Sequence, residues 1–274
     1  MKKILPLIAC AVLLGLIGIF VRLVPGVPIM TISFFRAFFG SLFLLMFLPF
    51  IDKKFLQISF SEAKSYAFIG AVMAATFLLF NTSFLLTKVA NVYLLSNLNI
   101  FFAALLGYAL LKEKLAKREI IGLFVAIVGL WFLFPSLEFS RGDFTALLSA
   151  ASIGYLTVLQ RKEKSIKAVF WYMAFAALFL LPFPFIFGMG RMGNADQFGF
   201  VVLLGVFSTG LAYLLLQIGL RYNTAAKSSL LIGIITPITS IGLAYFAFHE
   251  SLSLFQVIGS ILLLSTIAII EFER

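Results

Sequence analysis

Residues 197–220 read QFGFVVLLGVFSTGLAYLLLQIGL, with no Asp, Glu, Lys or Arg anywhere in the run. As an α-helix rising 1.5 Å per residue, the run is about 36 Å long. That exceeds the roughly 30 Å hydrocarbon core of a bilayer, which takes about 20 apolar residues to cross. Nine further stretches of the chain lack formal charge: 4–21, 37–51, 65–87, 89–111, 120–137, 144–160, 168–190, 228–249 and 251–270. The second of the ten in chain order reaches spanning length only if it begins near Ile29 and takes Arg36 into the membrane. In lipid, only a helix or a closed barrel satisfies its own backbone. Barrel strands alternate with period two, and runs such as Phe77-Leu78-Leu79-Phe80 do not, so each stretch is read as a helix.

Composition agrees. The 274 residues are 62% hydrophobic and 12% charged, with a mean hydropathy of +1.13, whereas soluble domains carry about 25% charge. The single Cys excludes an internal disulfide framework, and a single His excludes multi-histidine metal sites. No phosphate-binding glycine loop with its Lys is present, and the spans hold no carboxylate pair for acid–base chemistry. An enzyme is not expected, nor is a cofactor.

The net charge of +10 suggests nucleic acid until the basic residues are placed. With ten spans and a cytoplasmic N-terminus, sixteen Lys and Arg fall on the cytoplasmic side, among them Lys53, Lys54, Lys114, Arg161, Lys164 and Arg221. Four fall outside: Arg22, Lys88, Arg141 and Arg191. That is the positive-inside bias of a multi-pass protein of the cell membrane with both termini cytoplasmic. The bilayer, rather than nucleic acid, is the expected partner.

At an offset of 137 residues the sequence matches itself at Thr87/Thr224, Leu94/Leu231, Tyr108/Tyr245, Glu113/Glu250, Leu115/Leu252, Ile121/Ile258 and Gly122/Gly259. The chain is therefore read as two five-helix halves, 1–137 and 138–274. Five is odd, so the second half enters from the opposite face. The predicted fold is all-α and integral to the membrane, with ten transmembrane helices in two inverted five-helix repeats. Inverted repeats are a recurring plan of secondary transporters, with the site near the midplane.

The segments Ile32-Ser33-Phe34-Phe35-Arg36-Ala37, Lys112-Glu113-Lys114-Leu115 followed by Gly122, Thr236-Pro237, and His249-Glu250-Ser251-Leu252 followed by Gly259 resemble the EamA-type carriers of the drug/metabolite transporter superfamily. The resemblance covers nearly the whole chain. It implies export or exchange of small metabolites, often amino acids or related compounds, without fixing the substrate. Pro237 departs from the internal symmetry, its counterpart being Ile100.

Polar groups at membrane depth face a partner or a water-filled path. In the fourth span Tyr93 shares a face with Asn97, and Asn99 lies about 200° around the helix from Asn97. One Asn is expected to face a cavity and the other to bind a neighbouring helix. The eighth span carries Gly205, Thr209, Tyr213 and Gln217 at i, i+4 spacing, a polar stripe that either lines a path or glues helices. The sixth has a thinner version in Thr145, Ser149 and Ser152, with Tyr155 and Gln160 nearby. Pro237 removes a backbone hydrogen bond in mid-span, offering a kink or hinge, and Thr236 and Ser240 flank it and are placed to repair it.

Arg36, roughly 10 Å deep, has three readings: snorkelling outward, binding helix-end carbonyls, or pairing with an anionic substrate. His249 and Glu250 are the proton-coupling candidates, because His titrates near neutral pH. Glu113 and Glu250 are alternatively holders of interfacial Lys or backbone groups at helix ends, with proton coupling as their other reading. The function expected is alternating access for a neutral, zwitterionic or anionic solute. A channel-like facilitator and a receptor or scaffold stand as alternatives, and the sequence leaves the oligomeric state open.

Overall fold

The computed structural model describes residues 3–87, 92, 95–133, 140–189, 195–248, 254–255, 257–259, 261–262 and 265. All regular structure among them is helical. Five helices are long and apolar enough to cross a membrane: Ile29–Phe50, Phe60–Ser83, Arg141–Lys162, Lys167–Phe187 and Ala195–Leu220. Shorter apolar helices cover Leu5–Val21, Asn99–Leu111, Ile120–Gly129 and Ala225–Ser240.

In chain order the helices are α1 (Leu5–Gly15), α2 (Ile17–Arg22), α3 (Ile29–Phe47), α4 (Phe60–Leu86), α5 (Asn99–Leu111), α6 (Lys117–Leu133), α7 (Arg141–Lys162), α8 (Lys167–Leu180), α9 (Pro182–Phe187), α10 (Ala195–Gly205), α11 (Ala212–Leu220) and α12 (Ala225–Phe248). α3 starts at Ile29 behind Pro28, whose backbone is extended, so Arg36 lies inside the helix as the length argument required. Ser59 and Glu62 form a capping box at the start of α4, and Ser140 and Asp143 form one at the start of α7. Each box satisfies the orphan N–H groups of a first turn.

Three spans are less regular than their hydropathy predicts. The seventh breaks at Leu181 because Pro182 begins a new short helix. Within the fourth, Asn97 and Leu98 form a turn and α5 begins only at Asn99. Leu98, Ile100 and Phe101 donate to carbonyls three residues back rather than four. Asn side chains compete for backbone groups and disfavour helix interiors, and two of them here flank one residue. The eighth contains a π-turn, Val206–Leu211, between α10 and α11.

The bundle is built from specific pairings. α4 lies along α7 and α8, α5 along α7, and α3 along α8 and the π-turn; α1 packs on α11 and α12, and α5 meets α12. The loops divide between two faces. On one, Trp171 Nε1 donates to Phe55 O at 2.9 Å and Lys167 Nζ to Gln57 O at 3.0 Å. On the same face Arg221 Nε donates to Lys164 O at 2.7 Å and Asn223 Nδ2 to Lys3 O at 3.0 Å. On the other, Thr31 Oγ1 donates to Gly188 O at 2.7 Å and Thr87 Oγ1 to Asp143 Oδ1 at 2.8 Å.

Candidate functional site

The site begins at a close crossing of α3 and the π-turn. A Cβ at Gly40 would meet Met173 Sδ at 2.6 Å, Gly210 N at 3.1 Å and Gly205 O at 3.2 Å, and one at Gly205 would meet Phe39 Cβ at 2.4 Å. Only glycines let two backbones approach this far. The approach sets Arg36, one turn before Gly40, against Thr209, and Arg36 Nε donates to Thr209 Oγ1 at 3.3 Å. The Thr209 hydroxyl in turn donates to Leu204 O, five residues back, at 3.0 Å, the reach of a π-turn. The guanidinium carbon stands 4.7 Å from the Phe77 ring centroid, and Phe77 is edge-on to Tyr213 with centroids 6.0 Å apart.

Arg36 is 3% exposed. Its head therefore points into the bundle, and snorkelling does not describe it. One turn earlier on α3, Ser33 accepts a hydrogen bond from Asn81 Nδ2 of α4. Arg36 is thus a fixed positive charge held against Thr209 and the Phe77 ring, with the Ser33–Asn81 pair one turn earlier on its helix. Such a place is chemically suited to a carboxylate or another compact anionic group.

The eighth-span stripe meets a different helix at each step. Thr209 faces α3, Tyr213 faces α4 through Phe77, and Gln217 faces the end of α7, where its Nε2 donates to Gln160 O at 3.1 Å and also to Glu163 O. The thinner sixth-span stripe is a ladder to α4: Ser152 bonds Thr76 at 2.6 Å and Thr145 bonds Ser83 at 3.1 Å. That ladder glues helices together.

A second constellation joins the fourth and ninth spans. A Cβ on Gly233 would stand 3.0 Å from Asn97 Oδ1 and 2.9 Å from Ile100 Cδ1. Gly233 is four residues before Pro237, so its carbonyl is the one to which Pro237 offers no N–H. Asn97 therefore lies where the proline interrupts the ladder. Asn99 has a buried Oδ1 with no hydrogen-bond partner. Thr236 and Ser240 do not repair α12 but tie it to α1, donating to Ala11 O at 3.2 Å and Gly15 O at 2.9 Å.

At the loop-rich face Glu113 accepts from Arg161 Nε and from the Ala225 backbone N–H, each at 2.9 Å. It holds a backbone group, as one of its two readings has it, and with it an Arg rather than the expected Lys. Tyr93, His249 and Glu250 lie outside the described residues. Sequence reasoning missed Phe77, whose apolar setting hides it, and Asn81, which carries the polar signal but stands alone in an apolar run. Among the described residues, no group of three or more His, Cys, Asp or Glu is placed to hold a metal ion.

The EamA-like transporter family profile matches the chain twice, over residues 1–134 and 140–272. An uncharacterized transporter of Archaeoglobus fulgidus is 26% identical over 96% of this chain and 94% of its own length. Another, from Methanothermobacter thermautotrophicus, is 27% identical over 76% of this chain and 63% of its own length. A solved crystal structure superposes with a TM-score of 0.84 at 16% identity, covering 99% of this chain and 96% of that one.

Proposed function

This chain belongs to the EamA-like transporter family, and from that premise we propose that it is a secondary carrier working by alternating access. It is a multi-pass membrane transporter; its solute is a small neutral, zwitterionic or anionic metabolite such as an amino acid, moved as an exporter or exchanger. Ten spans in two inverted halves, 1–137 and 138–274, make the carrier. The loops bearing Lys53, Lys54, Lys114, Lys164 and Arg221 face the cytoplasm of the cell, with both termini.

One observation carries this reading: the helix pairings exchange under a swap of each span with the span five further on. The third span pairs with the sixth and the eighth with the first; the third with the seventh and the eighth with the second; the fourth with the sixth and the ninth with the first. The second and seventh, and the fourth and ninth, pair with each other, as elements on a two-fold axis must. Inversion also agrees with the loops, since Lys3 lies on one face and the Ser140 end of α7 on the other. Two halves rocking about such an axis expose a site between them to each side in turn. Because Arg36 is the only formal charge well inside a span, a strongly cationic solute is disfavoured.

The test is sided labelling of Thr209→Cys in a Cys10→Ala background, using a membrane-impermeant thiol reagent on right-side-out and inverted vesicles. A carrier gives labelling from both sides, reduced by a transported amino acid. No labelling from either side, as a fixed scaffold with this residue wholly buried would give, contradicts the reading.

A further inference from the structure

At the loop-rich face a ring of hydrogen bonds runs through the ends of α5, α7, α11 and α12. An α-helix leaves its last carbonyls without intrahelical partners. Those at the end of α7 go to α11: Gln217 Nε2 donates to Gln160 O at 3.1 Å and to Glu163 O, and one turn further on Arg221 Nε donates to Lys164 O at 2.7 Å. From the same turn of α7, Arg161 Nε donates to Glu113 Oε1 at 2.9 Å. Lys112, at the end of α5, takes a left-handed backbone with φ 57°, which folds Glu113 back so that its N–H reaches Gly107 O at 3.2 Å. The other carboxylate oxygen, Glu113 Oε2, accepts the Ala225 N–H at 2.9 Å where α12 begins. The charges suit their places, with an Arg at a helix C-terminus and a Glu at a helix N-terminus.

The ring joins two packed groups of helices. α7 lies along α4 and α5, and α1 lies along α11 and α12; these are the groups that the swap of spans exchanges. The bonds from Gln217 and Arg221 to α7, and from Ala225 to Glu113, each cross from one group to the other. Most of the ring is sheltered: Gln217 is 1% exposed and Ala225 0%. To open the loop-rich face the groups must part there, and these bonds must break. Their donors and acceptors then meet water, so the net cost is a small part of each bond. Packing such as that at Gly154, where a Cβ would stand 2.6 Å from Phe102 Cβ, lies within one group and stays intact. At an offset of 137, the counterparts of Arg161, Gln217 and Arg221 are Val24, Phe80 and Phe84. None has a side-chain donor, so the same ring cannot form at the opposite mouth.

We propose that Gln217, Arg221, Arg161 and Glu113 form a latch that holds the carrier closed at its loop-rich face, and that breaking it is the step that opens the solute site toward that face. This rests on the carrier reading and adds a built-in bias toward the state open on the opposite side.

The test measures the rate at which a membrane-impermeant thiol reagent labels Thr209→Cys in the Cys10→Ala background, in right-side-out and inverted vesicles. Tyr222→Cys, at a residue 59% exposed beside Arg221, identifies the vesicles that present the loop-rich face. Gln217→Leu removes two bonds of the latch and should speed labelling from that face about tenfold, leaving the rate from the opposite face unchanged. Arg221→Met, at an exposed position, removes one bond and should speed it about threefold; it guards against misfolding of the Gln217 variant. Unchanged rates in both variants, or equal acceleration from both faces, overturn the latch, while labelling of the parent from both faces keeps the carrier. Absence of labelling from either face in every protein overturns the carrier reading and the latch with it.

Discussion

Arg36 and Thr209 should be energetically coupled, and the size of the coupling follows from their geometry. Arg36 Nε donates to Thr209 Oγ1 at 3.3 Å in a site where Arg36 is 3% exposed. A hydrogen bond to a charged group contributes about 1.5–3 kcal/mol. Thr209→Val should therefore cost about 2–3 kcal/mol, part of it from the Thr209 bond to Leu204 O. Arg36→Met loses the same bond and the Phe77 contact at 4.7 Å, together about 3.5–5 kcal/mol with about 2 kcal/mol for a desolvated cation–π pair. It also relieves the burial of a charge at membrane depth, about 2.5–3.5 kcal/mol on insertion scales. The net cost is about 1–2 kcal/mol, small for a change so chemically large. In the double variant the bond between Arg36 and Thr209 is already absent, and the Leu204 bond cancels from the cycle. A coupling energy of about 1.5–3 kcal/mol is expected from reversible unfolding of the four proteins in mixed micelles. Distant sites add within about 0.5 kcal/mol, so a coupling below that figure would refute the assignment of Thr209 as the acceptor that fixes Arg36.

Gly205→Ala places a methyl 2.4 Å from Phe39 Cβ, an atom that cannot swing aside, and should destabilise by about 1–3 kcal/mol through overpacking. The same change at Gly199, where nothing lies within 4 Å, should leave unfolding in mixed micelles within about 0.5 kcal/mol of the parent. Glu113→Ala removes the acceptor for Arg161 and for the first turn of α12 and should cost about 1–2 kcal/mol, with Glu113→Gln less damaging because a neutral acceptor remains. Thermal unfolding of the two variants at low and high salt checks this, since only the ion-pair part is screened. Arg36→Lys keeps the charge but loses the planar fork, and should raise the half-saturating solute concentration in vesicle uptake about tenfold; unchanged uptake kinetics would remove Arg36 from the path.

Most of the fold is legible because lipid imposes one rule on every span: length and apolar content decide, and Pro28 with Ile29 places the start of α3 where the thickness argument needs it. The loop faces are legible because basic residues mark them. Where each polar side chain points is another matter. Thr209, Tyr213 and Gln217 read as one stripe at i, i+4, yet the π-turn ends among them and three different helices flank them, so each finds its own partner. That depends on packing at Gly40, Gly205 and Gly210, and no periodicity encodes it. The break at Asn97 and Leu98 has a local cause in two Asn side chains, and the one at Leu181 in Pro182, and both can be read in retrospect.

The central claim, that the chain exchanges solute through a site exposed to one side at a time, is tested most directly by counterflow. Proteoliposomes preloaded with an unlabelled amino acid are diluted into its labelled form, with and without a pH gradient. The carrier account predicts transient accumulation of label above its external concentration, driven by internal solute and abolished when the vesicles are empty. Simple equilibration, equally fast from loaded and empty vesicles, would contradict it and identify a channel.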